Sequence, residues 1–246
     1  MIITGKYPNL RMRRSRKTDW SRRLVQENNL SYNDLILPVF ITEGSNKKIS
    51  IKTMPDVYRY SIDRLGHIVD KSLKKKIPMI AIFPQTNSKL KDSTGSEALN
   101  DNNLVCRAIK FIKKKYKNEI GIMCDVALDP YTSHGHDGLL KNKNIVNDFK
   151  NSDEALREVA LDIKEGADMV MVKPGMPYLD VIKNVKDKFK IPVIAYQVSG
   201  EYSLIKNAIS KKIIDKKSIY ETLMSFKRAG ASAIVSYFAD QIDLDF

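Results

Sequence analysis

A lysine at the end of an apolar run is the first residue whose type and place could do chemistry. Lys173 closes Met169-Val170-Met171-Val172 and is followed at once by Pro174-Gly175. An ammonium held among apolar walls loses solvation. The neutral amine can then add to a ketone and form an iminium, which is an electron sink. The alternative is a strand-end lysine whose charge reaches water along its own stem. A second group lies between 125 and 138, where Asp125, Asp129, His134, His136 and Asp137 offer oxygen and nitrogen donors. Asp with other oxygen donors suits Mg2+, whereas Zn2+ favours cysteines or more histidines. The same stretch can also be a turn that bonds its own backbone through Asp and Ser. Ser199 beside Gly200 places a hydroxyl next to accessible backbone, a seat for a carboxylate, and Tyr237 adds a phenol. Ser and Tyr also end strands without any such role.

These residues need elements to hold them. Six apolar runs punctuate the chain, at 35–41, 77–83, 120–127, 167–172, 191–198 and 231–238. They are nearly continuous, as strands are when both sheet faces are covered. Helical patterns separate them at 62–75, 103–116, 152–165, 178–189 and 216–229. The third opens on Asn151-Ser152-Asp153-Glu154, a capping signal, and closes at Gly166. Glu165-Gly166-Ala167-Asp168 before the fourth strand is echoed by Arg228-Ala229-Gly230-Ala231 before the sixth. Strand, loop, helix, strand is the sign of βαβ units. The reading is an α/β fold, a TIM-type (β/α) barrel, whose reactive groups sit at the strand C-termini. Lys173, Ser199 and Tyr237 all follow strand ends.

Composition narrows the function classes. The chain has 246 residues, 43% hydrophobic, enough for one large core or two ordinary ones. It holds no apolar run of about 18 residues, so no membrane partner is expected. The segment 1–10 lacks the apolar stretch of a secretory signal. Cys106 and Cys124 are too few for a disulfide framework. Reduced thiols in a cytoplasmic protein are expected. The net charge of +13 comes from lysines dispersed at 74–76, 113–115, 211–212 and 216–217. They read as solvated helix faces, with no aromatic-interleaved basic stripe, and no nucleic-acid partner is expected. Residues 1–34 are polar and carry Arg11, Arg13, Arg14, Arg16, Arg22 and Arg23. They read as an extended arm with a short helix from Arg22 to Asn28, of a kind that embraces a partner subunit; a loose terminus is the plainer alternative. The remaining 35–246 form the barrel domain.

The phrases themselves resemble a known family. Met171-Val172-Lys173-Pro174-Gly175-Met176-Pro177-Tyr178-Leu179-Asp180 is similar to a lysine motif of the porphobilinogen synthase (delta-aminolevulinic acid dehydratase) family. So are Arg11 to Arg14, 34–41, Gly95-Ser96-Glu97-Ala98, Asp125 to Gly138, 151–158 and Tyr196 to Tyr202, in the same order along nearly the whole chain. The resemblance implies a (β/α)8 barrel with an N-terminal arm, assembled into a homo-octamer. It implies condensation of two 5-aminolevulinate molecules into porphobilinogen, in tetrapyrrole (haem) synthesis, through two Schiff-base lysines. By match, Lys173 holds the substrate of the so-called P site, and Ser199 and Tyr237 bind that substrate's carboxylate. Glu158 matches a position that holds allosteric Mg2+. The three cysteines of zinc-dependent members are replaced here by Ala127, Asp129 and Asp137, so Mg2+ is the expected ion, zinc is not, and Asp129 and Asp137 are further candidate ligands.

One departure is large. Between Leu140 and Asn151 stand only ten residues, where the resemblance implies two more βα units, roughly eighty residues by barrel arithmetic. That block holds the family's other Schiff-base lysine, and Lys141, Lys143 and Lys150 lack the strand context to replace it. The junction falls near 141–150. The expectation is six strands with unpaired edges between the third and fourth, either left open or closed by pairing those two directly. Activity is expected to be curtailed. A non-catalytic remnant or subunit of an intact homologue, and a single-lysine Schiff-base lyase, are the alternative functions.

Overall fold

A computed structural model describes residue 5 and residues 14–135, 140–141, 144–145 and 152–244. Its strands are β1 (Leu35–Ile41), β2 (Lys48–Ser50), β3 (Tyr58–Tyr60), β4 (Met79–Pro84), β5 (Gly121–Cys124), β6 (Leu140–Lys141), β7 (Asn144–Ile145), β8 (Val170–Val172), β9 (Val193–Gln197) and β10 (Ala233–Ser236). Its α-helices are α1 (Asp19–Leu24), α2 (Leu65–Lys74), α3 (Leu104–Tyr116), α4 (Ser152–Glu165), α5 (Leu179–Phe189), α6 (Ser199–Ser210) and α7 (Lys217–Ala229).

Six of the strands are the six apolar runs, and they pair in parallel in the order β5-β4-β1-β10-β9-β8. Four short strands, β2, β3, β6 and β7, escaped the sequence reading. β2 and β3 form an antiparallel pair, and β3 joins the far end of β1 at Phe40 and Ile41. The expected helix from Arg22 to Asn28 is shorter and earlier, at Asp19–Leu24. Asp19 begins it and pairs with Arg23, so its acid lies in the first turn where the helix dipole favours it.

Side-chain alternation splits the sheet into two faces. Leu35, Leu37, Val39 and Ile41 of β1, Ile80 and Ile82 of β4, and Val193 and Ala195 of β9 pack with α2, α3, α5 and α7. Ile36, Ala81, Ile194, Tyr196, Val235 and Tyr237 turn to the other, inner face. Each fully buried aliphatic side chain contributes about 2 kcal/mol. Helix ends are set by particular residues. The Asn103 side chain accepts from the Cys106 N–H at 2.9 Å and starts α3. Gly230, at φ 104°, ends α7 in the left-handed region and lets the Ala231 N–H reach back to Phe226 O at 3.0 Å.

Among the described residues, β5 and β8 each have one partner strand and do not pair with each other. The sheet is open there, so closure by pairing the third and fourth strands is not formed. Between them in sequence lies a two-residue hairpin, Leu140 opposite Ile145 and Lys141 opposite Asn144. The seam shows in the burial. On the inner face Ile194 of β9 is 4% exposed and Val235 of β10 is 0% exposed, but Met171 of β8 is 38% exposed.

Candidate active site

The C-terminal ends of β8, β9 and β10 carry Lys173, Ser199 and Tyr237, so the fold brings these three to consecutive strand ends. In β8, Val170 and Val172 pack toward the helices while Met171 does not. Lys173 therefore shares the inner-face parity of Met171. The Lys173–Pro174 peptide bond is cis. The turn that follows is fastened to β9 by the Gly175 N–H, which donates to Tyr196 O at 2.8 Å. Gly175 is required by that approach, because an added Cβ would stand 2.7 Å from Phe226 Cε1.

The sequence led us to expect Lys173 among apolar walls. It is instead exposed, because among the described residues β8 is an edge strand with no neighbour on its far side. Ser199 is exposed at the first turn of α6. Tyr237 is buried at 3% exposure, and its phenol oxygen lies 2.9 Å from that of Tyr196. Phe40 stacks on the Tyr237 ring at 5.6 Å and Tyr202 meets it edge-on. Burial pushes the Tyr196 phenol up to about 12, and the nearby Asp125 carboxylate adds to the rise. Burial, then the Tyr196 phenol, pushes Tyr237 higher still. Both phenols stay protonated at neutral pH and act as hydrogen-bonding groups.

Tyr196 and Glu201 are the site residues that the sequence reading passed over. Tyr196 could have been found from its parity with Ile194 on β9. Glu201 gives less signal, as its carboxylate acts on a loop far away in sequence: it accepts from Met176 N–H at 2.6 Å and Val198 N–H at 2.8 Å. Asp125, first considered as a metal ligand, has inner-face parity with Met123 on β5 and exerts its charge on Tyr196 and Tyr131.

The metal candidates do not converge. Glu158 is an exposed residue of α4, Asp129 lies in the turn after β5, and Asp137 lies outside the described residues, as does His136. Among the described residues no three His, Cys, Asp or Glu side chains come close enough to share an ion. The candidate donors among the described residues do not by themselves assemble a metal site.

Fold and site together define a (β/α)-barrel protein with a lysine at one strand end and hydroxyl groups at the next two. The comparisons make this specific. The delta-aminolevulinic acid dehydratase family model matches residues 9–150 and 146–244. Delta-aminolevulinic acid dehydratase of Bradyrhizobium diazoefficiens is 41% identical over 314 residues, covering 94% of this chain and 89% of that relative. The Methanothermus sociabilis protein of the same name is 38% identical over 319 residues, covering 96% and 98%. Both alignments are longer than the chain, so they carry gaps on its side. The crystal structure of delta-aminolevulinic acid dehydratase (porphobilinogen synthase) from Toxoplasma gondii, in complex with the reaction product porphobilinogen, superimposes with a TM-score of 0.87 at 30% identity, covering 94% of this chain and 90% of that one. The chain belongs to the delta-aminolevulinic acid dehydratase family.

Proposed function

We propose that the chain is a porphobilinogen synthase-type enzyme that binds 5-aminolevulinate and holds its ketone as an imine on Lys173. The observation that supports this best is the inner-face parity of Lys173, with Ser199 and Tyr237 at the next two strand ends. The Lys173 amine adds to the ketone carbon, the carbonyl oxygen leaves as water, and a C=N bond remains. The Ser199 hydroxyl and the protonated Tyr237 phenol hydrogen-bond the substrate's carboxylate. Condensation takes a second molecule. Lys141 belongs to the separate two-stranded β6–β7 hairpin, and Lys143 and Lys150 lie outside the described residues. None of these lysines follows an apolar run as Lys173 does, so we read this chain alone as stopping at the imine. The two matched segments of the family model, which meet at 146–150, support a junction near 141–150 where two βα units are missing.

Borohydride trapping tests this. The purified chain given 5-aminolevulinate gains one reduced adduct at Lys173, and Lys173→Met gains none. With 5-aminolevulinate and Mg2+ no porphobilinogen forms. Absence of the adduct refutes the assignment of Lys173, while robust turnover refutes the need for a second lysine.

Assembly through the arm, 1–34, belongs to the same reading. Trp20, Leu24 and Val25 in and beside α1 are exposed, which suits burial against another copy in a homo-oligomer. A reducing, cytoplasmic setting accords with the free thiols of Cys106 and Cys124. On ligand chemistry alone, the oxygen donor of Glu158 would suit Mg2+ rather than zinc.

A further inference from the structure

Behind the strand ends lies a second set of contacts, which joins the loops carrying the three candidate residues. Glu201 is the third residue of α6. Its Oε2 accepts from the Val198 N–H at 2.8 Å, at the start of its own helix. Its Oε1 accepts from the Met176 N–H at 2.6 Å, three residues beyond Lys173. One carboxylate therefore clasps the β8 and β9 loops through two charge-assisted bonds. The clasp extends to the third loop. Gln197 is fully buried, its Oε1 accepts from Ser236 Oγ at 2.7 Å, and its Nε2 lies 3.7 Å from Met176 Sδ. Ser236 Oγ accepts in turn from the Phe238 N–H at 3.1 Å, beside Tyr237.

A helix start needs an acceptor, ordinarily from a Ser, Thr, Asp or Asn cap. Val198 caps α6 and has none to offer. Had capping been the only demand, an acceptor at position 198 would meet it without reaching another loop. The long side chain of Glu201 brings a second oxygen to the Lys173 turn. That turn follows a strand that, among the described residues, has no neighbour beyond it to hold it. We infer that Glu201 is a positioning residue, which fixes the Lys173 turn against the Ser199 loop and so sets where the amine meets its ketone. The inference rests on the assignment of Lys173 to imine formation.

The experiment compares wild type, Glu201→Ala, Glu201→Gln and Gly230→Ala on the full chain. The limiting rate of borohydride-trapped adduct is measured with 5-aminolevulinate as probe, alongside the melting temperature and amide exchange of segment 174–178. Glu201→Ala is expected to lower the limiting rate on the order of ten- to hundred-fold, as misplacement of a reacting group does, and to speed exchange in 174–178. Glu201→Gln keeps one acceptor oxygen and falls between. Gly230→Ala strains the end of α7 without touching the clasp, so it lowers the melting temperature and leaves the limiting rate near wild type. Faster exchange with an unchanged trapping rate overturns the positioning role and leaves Lys173 standing. Unchanged exchange in Glu201→Ala overturns the clasp itself. A rate loss in Gly230→Ala equal to that in Glu201→Ala reduces Glu201 to a stability residue and also overturns it. No adduct on wild type removes Lys173, and the inference falls with it; exchange in 174–178 then still shows whether the two loops are clasped.

Discussion

Gly175→Ala is expected to destabilise the chain by about 2–3 kcal/mol, because the site has no room for one methyl group. The added Cβ would stand 2.7 Å from Phe226 Cε1 and 3.0 Å from the Tyr196 carbonyl oxygen. Gly175 has φ −77°, ordinary for any L-residue, so the penalty is steric and not conformational. Neither neighbour can withdraw easily. Phe226 is fully buried, and the Tyr196 carbonyl belongs to the backbone of a central strand and accepts from Gly175 itself. Overpacking a closed site costs about 1–3 kcal/mol, and a backbone contact places this case in the upper part of that range. Urea unfolding should show a lower midpoint with an unchanged slope. Phe226→Leu supplies the internal check. It removes the ring edge that makes the shorter contact, and alone it costs about 1–2 kcal/mol as a large-to-small change in a closed site. In the Gly175→Ala background it should cost less, with a coupling of about 1 kcal/mol. Relief is incomplete because the Tyr196 oxygen remains. A Gly175→Ala variant within about 0.5 kcal/mol of wild type, or strictly additive effects in the double variant, would refute the reasoning.

Two further outcomes follow from the titratable groups. Burial pushes Tyr60, Tyr131, Tyr196 and Tyr202 up to about 12. A phenol whose folded value is raised gives stability that is complete below about pH 10, where the unfolded phenol is protonated, and is lost as pH climbs toward 12. Phenolate absorbance should therefore rise together with loss of far-ultraviolet circular dichroism, and phenolate appearing well before unfolding contradicts the burial. Asp34 accepts from Lys227 Nζ at 2.8 Å, with both side chains under 20% exposed. Burial alone would raise its carboxyl, but hydrogen bonds from Lys227 and Ser31 prevail and hold it below the usual carboxylate range. That stability is present above about pH 4 and fades as pH falls through the lowered value. Asp34→Asn should lower stability at pH 7 by about 1–2 kcal/mol and flatten the acid limb, as read by denaturant melts between pH 3 and pH 7 on the order of one unit apart; an unchanged acid limb would show that the pair contributes nothing.

Much of the scaffold was legible because local signals agreed with it. The pattern at 103–116 became α3 with Asn103 as its cap, and 216–229 became α7 with Gly230 beyond its end. α6 was missed. Ser199-Gly200 reads as a turn, and the exposed Leu204 between buried Tyr202 and Ile205 blurs the apolar stripe. β2 and β3 were missed because Lys48 to Ser50 are all exposed and Tyr58 to Tyr60 only half-buried, so neither shows alternation. Lys173 and Tyr237 could be picked out because each ends an apolar run. Glu201 could not, since its role depends on Met176 coming within 2.6 Å through the pairing of β8 with β9.

The exposure of Lys173 and the open seam are one physical fact. Val172 is the last paired residue of β8, facing Ala195, and the opposite edge of β8 has no strand among the described residues. An inner-face residue of a closed barrel is covered by side chains from strands on both sides. Among the described residues only β9 supplies that cover to β8, which is why Met171 stands 38% exposed while Ile194, its registered partner, is at 4%. Lys173 inherits the same one-sided surroundings two residues further on. The shortening proposed between β5 and β8 would thus also leave Lys173 in contact with water, where the proposed iminium competes with hydrolysis. Restoring a neighbour to β8 would cover Met171 and Lys173 together. The imine proposed on Lys173 and the closure of the sheet would thus be coupled through a single strand edge.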